Sequence, residues 1–423
     1  MTTTTEDKKK NAAKKAETAP AKKPGGKTLA GLFSLVNQAT KGALKPVSYK
    51  VGQLEHIPTK IVQIDTLIGG ELTRDKKLMK CPGLPKGRIL EVYGAESSGK
   101  TTLALQFAVA VQKAGGRVLY LDFERALDQS YAEAIGIDFH SDTFGVLEPE
   151  TFEDGVKAII LACREQIDLI VTDSVAAMIP ASELIKKVDD PQKVGILAST
   201  MSKYLPRLNM RLDQSGTTLL LINQTRALIS TGGHSAETEN TSGGKALKFY
   251  CYLRLKTTRI KSEMVEKLDP TTMKKRKFPY GNVTQIKMVK NKVSGTQGYT
   301  TEVFIRYGSG VDEYLSLIES AVPRKIIVKA GSNYTFSGQT FKGKERLRKF
   351  LVENPKLTEE LRAKIMQAIV DDKVMKGIAE TEEIEDEDIV SDNREDADLG
   401  EDDGEDVIEA LEQTLDESEV EGS

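Results

Sequence analysis

Little in this sequence could hold a metal, a disulfide or a bilayer. Its three cysteines, Cys81, Cys163 and Cys251, are odd in number and far apart, with neither metal-ligand nor redox spacing. They read as reduced thiols of a cytosolic protein. Histidine is as scarce: His56, His140 and His234 make no cluster, which argues against a His-based nucleophile or a zinc site. No run approaches the roughly 18 apolar residues of a membrane span, so no membrane partner is expected. The start of the chain is Thr- and Lys-rich without an apolar stretch and does not read as a secretory signal. What remains, 39% hydrophobic and 29% charged over 423 residues, is a soluble globular composition. It is too long for one ordinary core and predicts two or three domains plus tails.

Positive charge is nearly missing from the C-terminal stretch. From Glu380 to Ser423 about 22 Asp and Glu face Arg394 alone, a local charge of about −21 that leaves the rest of the chain near +18. A basic body with an acidic tail is a common pattern in nucleic-acid-binding proteins.

One stretch organises the rest. Gly94-Ala95-Glu96-Ser97-Ser98-Gly99-Lys100-Thr101 fits the phosphate-loop pattern G-x-x-x-x-G-K-[ST] at every fixed position, with Thr102 behind it. An apolar strand pattern, Arg88–Tyr93, precedes it, and helix formers without Gly or Pro follow it through Val111. Glycines let successive backbone N–H groups turn inward onto phosphate oxygens, and the positive end of the following helix faces the same anion. In such a loop Lys100 reaches the β- and γ-phosphates and the Thr101 hydroxyl ligates Mg²⁺. The stretch predicts a nucleoside-triphosphate site.

Residues 1–27 are rich in Lys, Ala and Thr and poor in aromatics, and read as a disordered basic arm. Leu29, Leu32, Phe33 and Val36 fall at helical spacing within Thr28–Gln38. After the phosphate loop, apolar strand patterns at Arg117–Asp122, Phe144–Leu147, Ile167–Asp173 and Thr217–Asn223 alternate with helical ones, including one opened by the Thr151-x-x-Asp154 cap. Such strands predict an α/β fold with a mostly parallel central sheet covered on both faces. Beyond Gly244 the β-rich runs Phe249–Arg259, Val283–Val289 and Thr301–Tyr307 predict antiparallel strands extending the same sheet. A small C-terminal α/β domain is expected over residues 312–372, and a disordered acidic tail over 373–423.

Chemistry gathers at the strand ends. A carboxylate at Asp173, at the end of its strand, can hold Mg²⁺ through water. Asp122 and Glu124 end the neighbouring strand, and either could polarise an attacking water. Asn223-Gln224 ends a fourth, where an amide could sense the γ-phosphate. The polar stretch from Thr225 to Gly244 behind it is long enough to be a functional loop.

Six segments stand in a telling order: GAESSGKTT at Gly94–Thr102, LDFERALD at Leu121–Asp128, LIVTDS at Leu169–Ser174, LLINQTR at Leu220–Arg226, GGKALKFY at Gly243–Tyr250 and VKNK at Val289–Lys292. Together they resemble the RecA recombinases of bacteria and their phages, over roughly residues 28–372. The phosphate loop alone is shared with many ATPases; ALKFY and VKNK are far more discriminating. The resemblance implies a RecA-like ATPase core over 88–311, with an oligomerisation segment and lead-in over 28–87. It implies Glu124 as the catalytic glutamate, Asp128 and Tyr131 as adenine contacts, and Gln224 as γ-phosphate sensor. Lys290 and Lys292 would reach the ATP of a neighbouring subunit, with Lys248 and Phe249 at that interface. Ser182–Gly195 and Thr225–Gly244 match two DNA loops, with Arg226, Ile229, Gly243, Gly244 and Lys245 as DNA-binding positions. The activity implied is DNA-stimulated ATP hydrolysis with Mg²⁺, by a homo-oligomeric filament on single-stranded DNA that pairs with duplex and exchanges strands.

The chain departs from the family in places. Its second loop carries His234 and no aromatic, Pro206 stands where a phosphate-contacting arginine is often found, with Arg207 beside it, and DFER replaces an acidic-histidine arrangement. The competing readings are a hexameric helicase or ring motor on the same core, and a regulatory protein that holds ATP without strand exchange.

Overall fold

A computed structural model describes residues 54–69, 83–185, 195–227, 239–268, 273–294 and 296–383. The expected N-terminal arm, the Thr28–Gln38 helix, Cys81, Ile229, His234 and residues 384–423 lie outside the described residues.

A two-residue antiparallel pair, β1 (His56–Ile57) with β2 (Leu84–Pro85), and the buried helix α1 (Val62–Ile68) lead into the body. The alternating part runs β3 (Ile89–Gly94), α2 (Lys100–Lys113), β4 (Val118–Asp122), α3 (Gln129–Ile135), β5 (Phe144–Leu147), α4 (Phe152–Arg164), β6 (Leu169–Asp173), α5 (Ala181–Leu184), α6 (Ile196–Ser215) and β7 (Thr218–Ala227). Every pairing among these five strands is parallel, in the order β3-β7-β6-β4-β5.

The apolar runs have two faces to fill. On β7, Leu220 and Ile222 enter one core with α2, while Leu219 and Leu221 enter another with α4 and α6; on β6, Leu169 and Val171 part from Ile170 in the same way. Period-two alternation between two covered faces explains why these strands show no polar side. The expected cap of α4 is present: the Thr151 hydroxyl accepts from the Asp154 N–H at 3.0 Å. Pro206 sits inside α6.

Past β7 come β8 (Glu239–Thr241), α7 (Gly244–Tyr250), β9 (Leu253–Leu268), β10 (Lys275–Asn291), β11 (Thr300–Arg306) and β12 (Gly310–Val311). β9 lies parallel to β3; β10, β11 and β12 then add antiparallel strands, so the sheet is extended as expected. Two features go beyond expectation. The ends of the Thr225–Gly244 stretch pair as strands, Thr225–Ala227 against Glu239–Thr241, so the loop rises from a β-stem. β9 and β10 also outrun the sheet, with Glu263–Leu268 pairing only Lys275–Gly281; Val265 opposite Phe278 is the kind of cross-strand apolar pair that supports such a ribbon.

The C-terminal part contains α8 (Glu313–Ala321), the antiparallel sheet β13 (Val328–Ala330), β14 (Asn333–Phe336) and β15 (Gln339–Lys342), then α9 (Lys344–Glu353) and α10 (Pro355–Glu383). Its core includes Val283 of β10 and Phe304 of β11, so it packs directly on the large sheet. α10 runs past residue 372 because Lys, Glu, Met and Ala dominate there, and the Gln367 amide donates to Asp371 one turn on. Among the described residues no helix is long and apolar enough to cross a membrane.

Candidate active site

The phosphate loop joins the buried β3 to α2 and is pinned from behind by strands remote in sequence. The Ser98 hydroxyl lies 2.8 Å from that of Thr257 on β9, and the Thr284 hydroxyl of β10 donates to the Ser98 carbonyl at 3.4 Å. The fit demands glycine at both fixed positions. A Cβ on Gly94 would stand 2.3 Å from the Thr257 carbonyl oxygen, and Gly99 has φ of 90° with Ile305 Cδ1 2.4 Å from where a Cβ would be. The first turn of α2 therefore opens onto a cradle of backbone N–H groups.

Lys100 is buried beside this cradle, its Nζ donating to the Ala95 carbonyl at 2.7 Å. Burial lowers its pKa, and the carboxylates of Asp173, Glu124 and Glu96 oppose that shift. The Thr101 hydroxyl donates to Asp173 Oδ2 at 2.8 Å, and the Tyr120 hydroxyl donates to the same oxygen at 2.7 Å. Burial raises the Asp173 pKa against these two hydrogen bonds. A hydroxyl and a carboxylate side by side are hard oxygen donors that suit Mg²⁺. Among the described residues no three His, Cys, Asp or Glu side chains converge on a metal-sized space. Magnesium here would therefore draw most of its ligands from phosphate and water, its usual habit.

Asp122 and Glu124 differ in their partners. Asp122 is buried and Oδ2 accepts from the Ala126 and Leu127 N–H groups, at 3.0 and 2.9 Å, which fixes the turn after β4. Glu124 is exposed; its Oε1 accepts from the Ser174 hydroxyl and, at 3.0 Å, from the Gln224 amide. Asp128 caps α3 by accepting from the Tyr131 N–H at 3.1 Å, and the Tyr131 hydroxyl lies 2.7 Å from that of Thr102. The pair expected at the base thus borders the end of the phosphate loop.

The remaining expected residues sit apart from this cluster. Gly243 and Gly244 start α7 against Met201 and Ala198 of α6, and Lys245 is exposed one residue on. Arg226 lies on β7, opposite Asn240 in the stem. Lys290 donates to the Lys248 and Phe249 carbonyls, at 2.6 and 2.8 Å, closing the C-terminal end of α7. Lys292 is exposed and Phe249 leaves 74% of its surface open. Of the first loop, Ser182–Ile185 and Gly195 are described, with Leu184 and Ile185 exposed.

Sequence reasoning missed Thr257, Thr284, Tyr120 and Ser174. Ser174 had a signal, a hydroxyl directly after the strand-end Asp173. The two threonines had none, lying 159 and 186 residues from Ser98.

The chain is similar to known proteins along most of its length. A family model described as the RecA N-terminal domain matches residues 38–312, and one described as the RecA C-terminal domain matches 316–370. Protein RecA of Nocardia farcinica is 40% identical over 332 residues, covering 78% of this chain and 88% of that protein. Protein RecA of Streptomyces coelicolor is 38% identical over 343 residues, covering 80% and 84%. A crystal structure of the RadB recombinase aligns with 60% of this chain and 98% of its own at 18% identity, TM-score 0.41, a likeness too distant to add weight. With a core model matched across most of the chain and relatives near 40% identity along most of their own length, the chain belongs to the RecA family.

Proposed function

We propose that this protein is a DNA-dependent ATPase that coats single-stranded DNA as a filament of its own copies, pairs that strand with homologous duplex and exchanges strands, in the cytoplasm. The observation that carries the reading is the bridge at Glu124. Its carboxylate is held by the Ser174 hydroxyl on one side and by the Gln224 amide, at 3.0 Å, on the other. Gln224 is followed directly by the stem of the second loop. The group that would activate water thus touches the residue from which the DNA loop departs.

Roles follow from position. Gly94 to Thr102 would cradle the phosphates, with Lys100 on the β- and γ-phosphates. Thr101, and Asp173 through water, would hold Mg²⁺, which when bound neutralises charge developing between those phosphates. Glu124 takes a proton from the attacking water. Tyr131 stacks on adenine beside Asp128. Lys290 and Lys292, with Lys248 and Phe249, offer the second half of the site to a neighbouring subunit. Arg226, Ile229, Gly243, Gly244 and Lys245 face single-stranded DNA, and residues 312–372 add duplex contacts. ATP then acts chiefly as an adhesive between subunits, and hydrolysis to ADP and phosphate loosens it.

The ring-motor reading is not favoured, since both RecA domains are matched. Electron microscopy with ATP and single-stranded DNA, beside a strand-exchange assay, tests the reading. Continuous filaments with exchanged product are expected; closed rings without exchange would overturn it.

A further inference from the structure

Three strands and the root of the second loop meet at one buried carboxylate, Glu91 on β3, whose side chain is fully enclosed. Arg254, its register partner on β9, donates from Nε to Glu91 Oε2 at 2.5 Å. The same guanidinium lies 4.7 Å from the centre of the Tyr93 ring, and its Nη2 is 3.5 Å from the Thr241 hydroxyl. The other carboxylate oxygen accepts from the Asn223 amide of β7 at 2.9 Å. Burial works against the charged guanidinium, but the Glu91 carboxylate more than offsets it, so the arginine pKa is raised.

Asn223 has no freedom left. Its amide nitrogen donates both to Glu91 and, at 2.8 Å, to the Ser242 carbonyl, while its amide oxygen accepts from the Gln224 N–H at 2.9 Å. The departing end of the second loop, at Asn223 and Gln224, and its returning end, at Thr241 and Ser242, are therefore tied to one ion pair. An ion pair this deeply buried resists being broken, because a lone charge would remain. Movement of the loop stem must then either carry Gln224 with it or pull Asn223 off Glu91.

We propose that the Glu91–Arg254 pair is a fixed anchor and Asn223 its arm, a positioning device that makes the place of Gln224, and with it the hydrogen bond to Glu124, depend on the state of the loop stem. It deepens the functional reading above and rests on it. The anchor is enclosed within the sheet and acts through Gln224. A purely structural ion pair would lower folding stability and every activity together. A positioning pair would instead change the ratio of DNA-stimulated to DNA-free turnover.

The experiment uses the full chain and begins with Asn223→Ala and Asn223→Ser, which cut the arm and leave the ion pair. Thermal melting, nucleotide affinity, and turnover with and without single-stranded DNA are measured for each. Expected are nucleotide affinity within about threefold of wild type and a drop of about tenfold or more in the ratio of DNA-stimulated to DNA-free turnover, in whichever variant melts like wild type. Glu91→Gln combined with Arg254→Gln, which keeps a hydrogen-bonded pair without charge, should restore part of the ratio relative to Glu91→Gln alone. A folded Asn223 variant with an undiminished ratio would overturn this inference alone. So would parallel losses in melting temperature and both turnovers across every variant. No DNA stimulation in the wild type would overturn the ATPase reading and this inference with it.

Discussion

Two surfaces carry the residues expected to meet one nucleotide, and they are built differently. Around the phosphate loop the functional side chains are partnered within the chain: Lys100 and Asp173 each keep 8% exposure, Tyr120 and Thr101 hold Asp173, and Ser174 and Gln224 hold the more exposed Glu124. At the edge formed by α7 and the end of β10, Lys292 is exposed, Phe249 is 74% exposed, and Lys290 donates to the α7 carbonyls. A pre-organised pocket suits binding and chemistry within one chain. An open edge with a bare aromatic and two lysines suits a surface completed by another chain. The contrast fits the proposed sharing of one nucleotide between subunits.

The strongest break should come inside the enclosed half. Lys100→Ala removes a cation buried against the loop, and hydrolysis should fall to background with nucleotide binding weakened by about tenfold or more. Equilibrium binding of a fluorescent ATP analogue and phosphate release measure both; wild-type turnover would remove the loop from the site. Glu124→Gln should separate the two readouts, because the amide keeps the shape but cannot take a proton. Turnover should drop by about 10²-fold while ATP binding and filament formation persist. Loss of binding in that variant would make Glu124 a structural residue.

The open half should behave as a property of pairs of molecules. With Lys290 and Lys292 both changed to Ala, a single chain should still bind ATP, yet ATP-dependent assembly on DNA should be lost. Mixed with Lys100→Ala protein, it should recover part of the activity, since each brings the half the other lacks. If no mixing ratio restores turnover while both proteins are folded and bound to DNA, the site is contained in one chain.

How far these halves could be read from sequence differs as well. The phosphate loop was legible because its job is done by contiguous residues between a strand and a helix. The two-faced strands were legible because their periodicity is local. Tyr120 was not, since nothing in Val118–Asp122 says that its hydroxyl will meet an aspartate 53 residues on. By position alone Glu124 and Asp122 looked equivalent and only the family resemblance preferred Glu124; the sequence did not show that Asp122 would accept from two backbone N–H groups of the next turn. The β-stem at Thr225–Ala227 and Glu239–Thr241 escaped because Ala227, Glu239 and Asn240 are poor strand formers in segments only three residues long, and pairing rather than propensity makes them strands. The Lys290 contact escaped for a similar reason: helix-end carbonyls are invisible in a motif.

The smallest effect should come from the acidic tail, and it asks whether the molecule's own chain competes for its basic surfaces. Residues 384–423, beyond the end of α10, carry about −18, against a body near +18 once Glu380–Ser423 is set aside. Opposite charge on one chain is held at high local concentration, so the tail should act as an internal competitor for phosphate-binding surface. Salt and Mg²⁺ screen both the tail and the DNA, which makes the full-length protein less sensitive to salt than its DNA contacts alone would be. Removing 384–423 should therefore raise duplex affinity by a few-fold at low salt, leave it little changed near 0.2 M, and steepen the plot of log affinity against log salt concentration. Anisotropy titrations of both proteins across a salt and Mg²⁺ series decide it. Curves that coincide throughout would mean that the tail does not reach the DNA surface, and the charge asymmetry would then matter for solubility alone.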